Sequence, residues 1–154
     1  MGAFKKDLAS GKAGERHVAA ALKKHYGARR VLWKAAGRGL DFQLEIDGAL
    51  IPFEVKTDFR AAKTGNVFLE ISCSDKVSGL SATTAERWAV LVPHMQLILV
   101  FCPRRMASYL RRTKRARLVN GGDRRASSGY VIPIKFLLGK NGIEIINTNT
   151  KLKK

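Results

Sequence analysis

The chain reads as an α/β or α+β protein, a β-sheet with helices packed on it. An amphipathic helical pattern opens the chain, alternating apolar runs fill its middle, and a second helical pattern near residue 103 separates these from further strands. With 154 residues and 45% apolar content, a single domain over residues 1–154 is expected, ending in a basic C-terminal tail at about 147–154.

The first helix is expected over about residues 10–26. Val18, Ala21, Leu22 and Tyr26 recur at three- and four-residue steps and make one stripe. Ser10 is a candidate N-cap, and Gly27 stands where a helix ends. Arg30 to Lys34 is a short strand candidate, followed by a Gly37-Arg38-Gly39 loop. Phe42, Leu44 and Ile46 alternate, as do Ile51, Phe53 and Val55, and Asp47-Gly48 between them is a hairpin turn signal. Pro52 is tolerable only near a strand start or on an edge. Residues 57–66 read as a mobile polar loop, Val67 to Ser72 as a strand, and Thr83 to Glu86 as a short helix. Trp88 to Val92 and Leu97 to Phe101 read as strands broken at Pro93-His94. Pro103 suits a helix start, and Met106, Tyr109 and Leu110 give that helix an apolar stripe. A loop over residues 118–129, a strand from Val131 to Leu138 and a terminal ribbon from Ile143 to Ile146 complete the order.

The net charge is +17. Such an excess repels itself, and a polyanion offsets it, so nucleic acid is the first partner implied and a membrane surface the second. No apolar run is long enough to span a bilayer and no signal core opens the chain, so a cytoplasmic protein is expected. Cys73 and Cys102 lack metal-type spacing and read as reduced, packed thiols. His17, His25 and His94 are scattered and read as solvated or hydrogen-bonded rather than as a zinc site.

The chemistry concentrates between Asp41 and Lys56. Side chains two apart on a strand share a face. Ile51, Phe53 and Val55 therefore point into the core, while Glu54 and Lys56 point together to the other side. Asp41 and Glu54 can offer carboxylate oxygens from neighbouring strands to a hard divalent cation, with the carbonyl of Val55 as a third ligand. Lys56 would lie near an attacking water and stabilise negative charge on a phosphate. Charges on a hairpin are more often simply a solvated face, and Glu15, taken alone, is an ordinary acid at a helix start.

With Asp41, Glu54 and Lys56 so placed, the chain resembles the PD-(D/E)xK nuclease superfamily. Within it, the chain is similar to the Holliday junction resolvases of archaeal and phage type. The matching segments are Gly11 to Arg16 (containing Gly14-Glu15-Arg16), Ala36 to Asp41, and Phe53-Glu54-Val55-Lys56. The similarity covers about the first half of the chain. Leu40 stands where the family usually has proline, and Gly37 to Gly39 occupy the place of a small hydroxyl residue. The resemblance implies a restriction-endonuclease-like mixed β-sheet flanked by α-helices. It implies a magnesium-dependent endodeoxyribonuclease of recombination and repair, with manganese as the alternative ion. Asp41 and Glu54 would bind metal, Lys56 would be the catalytic lysine, and Glu15 would assist metal or water.

Arginine forks suit phosphate oxygens. Candidate DNA-binding residues are Arg16, then Arg29, Arg30, Lys34 and Arg38 beside the expected site, then Arg60 and Lys63, then Arg104, Arg105, Arg111 and Arg112. Lys114, Arg115, Arg117, Arg124 and Arg125 extend that last group. Branched DNA, the four-way junction in particular, is the expected partner, and paired symmetric cuts call for a homodimer. The apolar segments after residue 67 serve either as that interface or as core strands. Another repair or restriction-like nuclease of the superfamily, and a non-catalytic basic nucleic-acid-binding protein, are the competing readings.

Overall fold

A computed structural model describes the backbone of residues 3–33, 39–121 and 127–148, and the side chains from Gly11 onward within those ranges. Lys34, Arg38, Arg124, Arg125 and the basic tail beyond Thr148 lie outside the described residues, as does most of the Gly37 loop. The elements are α1 (Ala3–Tyr26), β1 (Val31–Trp33), β2 (Phe42–Ile46), β3 (Ala49–Thr57), α2 (Ala61–Thr64), β4 (Asn66–Cys73), β5 (Lys76–Val77), β6 (Arg87–Val92), β7 (Leu97–Phe101), α3 (Pro103–Arg112), β8 (Arg117–Gly121), β9 (Ser127–Pro133) and β10 (Ile143–Asn147).

Two sheets form. The larger is six-stranded in the order β1-β2-β3-β6-β7-β10, and the smaller is four-stranded in the order β5-β4-β9-β8. Among the described residues every pairing is antiparallel except β3 with β6. The expected α/β class holds, as a mixed sheet with helices plus a second sheet. Period-two alternation divides the core into two clusters, one on each face of the large sheet. On one face, Val18, Ala19 and Leu22 of α1 pack on Phe42, Phe53, Val55, Ala89 and Leu91. On the other, Trp88, Val90 and Leu99 meet Val67, Leu69 and Ile132 of the small sheet and Met106 and Leu110 of α3. The apolar strands after residue 67 are thus core strands of this chain. Burying a side chain such as Phe42 or Phe53 contributes about 1.5–3 kcal/mol, and these two rings also stack with centroids 5.4 Å apart.

The β2–β3 hairpin forms where Asp47-Gly48 predicts it, with φ of 49° and 81° at the two turn residues. Positive φ at both central residues is what the right-handed twist of a two-residue hairpin requires. Pro52 precedes Phe53, the first β3 residue paired with β6, so its missing N–H falls outside the parallel ladder. Gly27 ends α1 in the left-handed region (φ 61°), and the Ala28 N–H closes back on the Lys23 carbonyl at 2.9 Å.

Several expectations are corrected. The first helix begins at Ala3, so Ser10 lies in its interior and is not an N-cap. Residues 57–66 are not a mobile loop. Asp58 Oδ1 accepts the Arg60 and Ala61 N–H groups at 2.9 Å each, Oδ2 accepts that of Phe68, and the helical turn α2 follows with Ala61 fully buried. No helix forms at Thr83 to Glu86. The turn is a 3-10 helix at Gly79–Ser81 instead, because the Thr83 hydroxyl bonds both the Ala85 N–H and the Gly39 carbonyl. The expected loop at 118–129 contains β8 and the start of β9, and the strand expected to reach Leu138 ends at Pro133 in a 3-10 turn. His17 is neither solvated nor hydrogen-bonded at Nε2, which is buried without a partner among the described residues, and burial holds its pKa below the usual value. Both cysteines are free and half-buried. No described helix is long and apolar enough to cross a membrane.

Candidate active site

The site grows from the end of the β2–β3 hairpin. Gly39 adopts a φ of 99°, and a Cβ there would stand 2.6 Å from Thr84 Oγ1. Its carbonyl accepts hydrogen bonds from the Thr83 and Thr84 hydroxyls and the Thr84 N–H. This ties down the segment leading to Asp41. The Asp41 N–H then donates to the Phe53 carbonyl at 2.8 Å, and Asp41 Oδ2 accepts the Val55 N–H at 2.7 Å. Backbone and side chain of one residue therefore clamp β3 at Phe53 and Val55, on either side of Glu54.

Phe42 pairs with Phe53, and Glu54 pairs with Trp88 across the parallel β3–β6 ladder. Glu54 and Lys56 consequently lie on the face of Trp88 and Val90, away from α1. Glu54 Oε1 is 2.7 Å from the Lys56 ammonium, and Oε2 accepts the Trp88 indole N–H at 3.0 Å. Glu54 is 8% exposed and therefore buried, while the Lys56 side chain is 48% exposed. The ammonium also lies over the Trp88 ring, 5.6 Å from its centroid. A cavity of about 470 Å³ is lined by Asp41, Glu54 and Lys56 together with Glu70, Ser78 and Thr83.

Glu15 reaches the same end of the sheet from α1. A Cβ on Gly14 would come 2.2 Å from Thr57 Oγ1. Glycine there lets the helix settle against the end of β3 and sets the depth of the next residue. Burial raises the Glu15 pKa first, and the charge of Asp41 raises it further, against Lys12, Lys56 and Arg16. Burial likewise raises the Asp41 pKa, opposed by the Val55 hydrogen bond and by Lys56 and reinforced by Glu54. Burial leads both shifts, so negative charge on Asp41 and Glu15 is poorly compensated at this end of the sheet. A cation between Asp41 and Glu54 would relieve that imbalance.

The oxygens present fit a hard ion. Asp41 Oδ1 has no hydrogen-bond partner among the described residues, and Glu54 and the Val55 carbonyl stand on the adjoining strand. Among the described residues no three His, Cys, Asp or Glu side chains gather as a metal cluster. The candidate set is two carboxylates and a carbonyl.

Sequence reasoning missed Trp88 and Glu70. Trp88 joins Glu54 across 34 positions of sequence, and no local pattern announces that. Glu70 reaches the cavity from the small sheet, held by the hydroxyls of Ser78 at 2.7 Å and Ser127 at 2.6 Å.

The basic residues divide by position. Arg16 is exposed beside Glu15, Arg60 and Lys63 are exposed around α2, and Arg104, Arg105, Arg111 and Arg112 form the exposed face of α3. That helix packs on the 3-10 turn at Gly79–Ser81, which walls the cavity. Arg29 and Arg30 are not beside the site. They pair with the buried Glu45, four residues beyond Asp41 along β2, about 13 Å at the usual strand rise.

No family model matches the chain, and no curated protein matches it. Among solved structures it is similar to a bacterial homing endonuclease, I-Ssp6803I, at 18% identity and a TM-score of 0.49. The similarity covers 79% of this chain and 72% of that one.

Proposed function

We propose that this protein is a metal-dependent endonuclease that cuts branched DNA, the four-way junction first, by paired symmetric incisions from a homodimer. The observation that supports the reading best is the convergence of Asp41, Glu54 and Lys56 on one cavity, with Glu15 in electrostatic reach. Asp41, Glu54 and the Val55 carbonyl would hold magnesium, or manganese in its place. When bound, that ion supplies charge neutralisation at the phosphate and a more acidic water. The residues do the rest. Trp88 holds Glu54 in one orientation. Lys56 faces solvent at the cavity mouth, where its ammonium can orient a water and offset charge building on the phosphate oxygens. Glu15, held above the usual carboxylate value by burial and by Asp41, would assist metal or water from α1. The arginine face of α3 and the cations around α2 would hold backbone phosphates, which position the substrate without reading its bases.

The test is a substrate panel. Purified protein with magnesium is incubated with four-way junctions, flaps and linear duplex. Paired incisions across the junction support the reading, and equal cutting of linear duplex replaces it with a less selective nuclease of the same chemistry. A non-catalytic nucleic-acid-binding protein has one observation in its favour: both Glu54 oxygens are engaged by protein donors. That reading predicts binding without cleavage of any substrate.

A further inference from the structure

The chemistry above makes no use of a second, larger cavity, which shares Lys56 and Glu70 with the first. Its volume is about 590 Å³, and its lining includes Lys56, Arg60, Phe68, Val119 and Val131. Phe68 lies on β4 opposite Val131 of β9, with Gly129 two residues along on the same face. A Cβ on Gly129 would stand 2.7 Å from both Cε2 and Cζ of the Phe68 ring, and one on Gly121 would stand 3.8 Å from Cε2. The ring therefore lies against glycine backbone on one side and borders open space on the other. An aromatic ring covering a strand glycine stabilises a sheet by itself. Here it also leaves the ring fixed in orientation at the wall of a chamber.

The chamber suits a nucleotide in size and in charge. Pockets of 300–1,000 Å³ or so are typical for small ligands. Lys56 and Arg60 are exposed at its rim. The two acids that also line it already accept protein hydrogen bonds, Asp58 from the N–H groups of Arg60, Ala61 and Phe68, and Glu70 from the Ser78 and Ser127 hydroxyls. Such an arrangement pairs an apolar ring face with cations placed for the flanking phosphates.

We infer that Phe68 is a stacking platform for a nucleobase drawn out of its duplex beside the phosphate that Lys56 engages. The inference rests on the nuclease reading for the identity of the polyanion and deepens it by naming the feature recognised, an unpaired base. Extruding a base costs a few kcal/mol in an intact duplex and least where the base is already unpaired. Stacking on an aromatic side chain is indifferent to base identity. The platform would therefore favour branch points and bulges over linear duplex with no sequence preference.

The experiment measures, by fluorescence anisotropy in EDTA, the affinity of the full chain for a duplex with one unpaired base and for the same duplex fully paired. The wild type should prefer the unpaired base. Phe68→Leu should lower that preference by roughly 5- to 150-fold, the range of one base stacked on an aromatic ring, and Phe68→Tyr should keep it. Val119→Trp, which fills the chamber from the β8 position paired with Gly129, should also abolish it, so the test survives a Phe68→Leu chain that fails to fold. Unchanged preference in Val119→Trp and in folded Phe68→Leu, or no preference in the wild type, overturns the inference whether or not the protein cuts DNA. A Phe68-dependent preference in a protein that cuts nothing with magnesium upholds the platform and overturns the nuclease reading instead.

Discussion

The indole N–H of Trp88 donates to Glu54 Oε2 at 3.0 Å, and the same ring lies 5.6 Å from the ammonium that holds the other oxygen of that carboxylate. One buried side chain on β6 thus orients both charged groups of β3. Trp88→Phe keeps an aromatic ring and removes the donor. A hydrogen bond to a charged group contributes about 1.5–3 kcal/mol, so urea unfolding should show a loss of that order. Half-maximal cleavage should also shift to higher magnesium concentration, because Glu54 is then free to leave its ligating orientation. A variant with reduced stability and an unchanged magnesium dependence would make Trp88 a packing residue only.

Metal-free protein should lose stability as pH rises through the upper carboxylate range. Burial raises the Asp41 and Glu15 pKa values. The folded state therefore keeps protons that the unfolded chain has already released, and stability falls as pH climbs from the ordinary carboxylate value through the raised one. Asp41→Asn still accepts the Val55 N–H but carries no charge. Its Tm in EDTA at neutral pH should exceed the wild-type value, and the two should converge below about pH 4, where the wild-type carboxyl is protonated in both states. Thermal unfolding across this pH range checks both signs.

Gly79 should resist substitution. Its φ is 53°, and a Cβ there would stand 2.1 Å from the Glu70 carbonyl oxygen and 2.7 Å from its carbon. Gly79→Ala must move β4 or the 3-10 turn, at a cost of about 1–3 kcal/mol for overpacking. Because both line the cavity, cleavage should fall as well. Chemical denaturation and a cleavage assay together check this, and Gly65→Ala is a comparison, being left-handed (φ 69°) with nothing within 4 Å of its Cβ.

The arginines should not contribute equally to DNA binding. All are exposed, but those on α3 pair with no acid among the described residues, whereas Arg29 and Arg30 pair with Glu45. Each phosphate contact removed should lower the slope of log K against log salt by about 0.9. Arg111→Ala and Arg112→Ala should each show this, and Arg29→Ala should show less. Titrations at several salt concentrations, with catalysis silenced by EDTA, give the slopes directly.

What was legible in the sequence was local or period-two. Asp47-Gly48 specified the hairpin, and the hairpin register brought Asp41 against the Phe53–Val55 segment and turned Glu54 and Lys56 away from α1. Pro103 with Met106 and Leu110 specified α3 and its arginine face. Long-range pairing was not legible. The parallel contact of β3 with β6, which supplies Trp88, forms only after the whole of β4 and β5 has been traversed. Strand β8 was hidden because Arg117 to Gly121 carries little apolar alternation and ends in Asn120-Gly121, a turn signal overridden by pairing with β9. The turn at Asp58 looked like a loop because its order comes from one carboxylate accepting three N–H groups, not from an apolar stripe.

The most direct measurement is single-turnover cleavage of a four-way junction, with magnesium, by the wild type and by Asp41→Asn, Glu54→Gln and Lys56→Ala, each paired with its junction affinity in EDTA. The account predicts that the wild type cuts, that each variant loses cleavage by about 10²-fold or more, and that all bind the junction with affinity near that of the wild type. Cleavage at wild-type rates by the three variants, or none by the wild type, would contradict it.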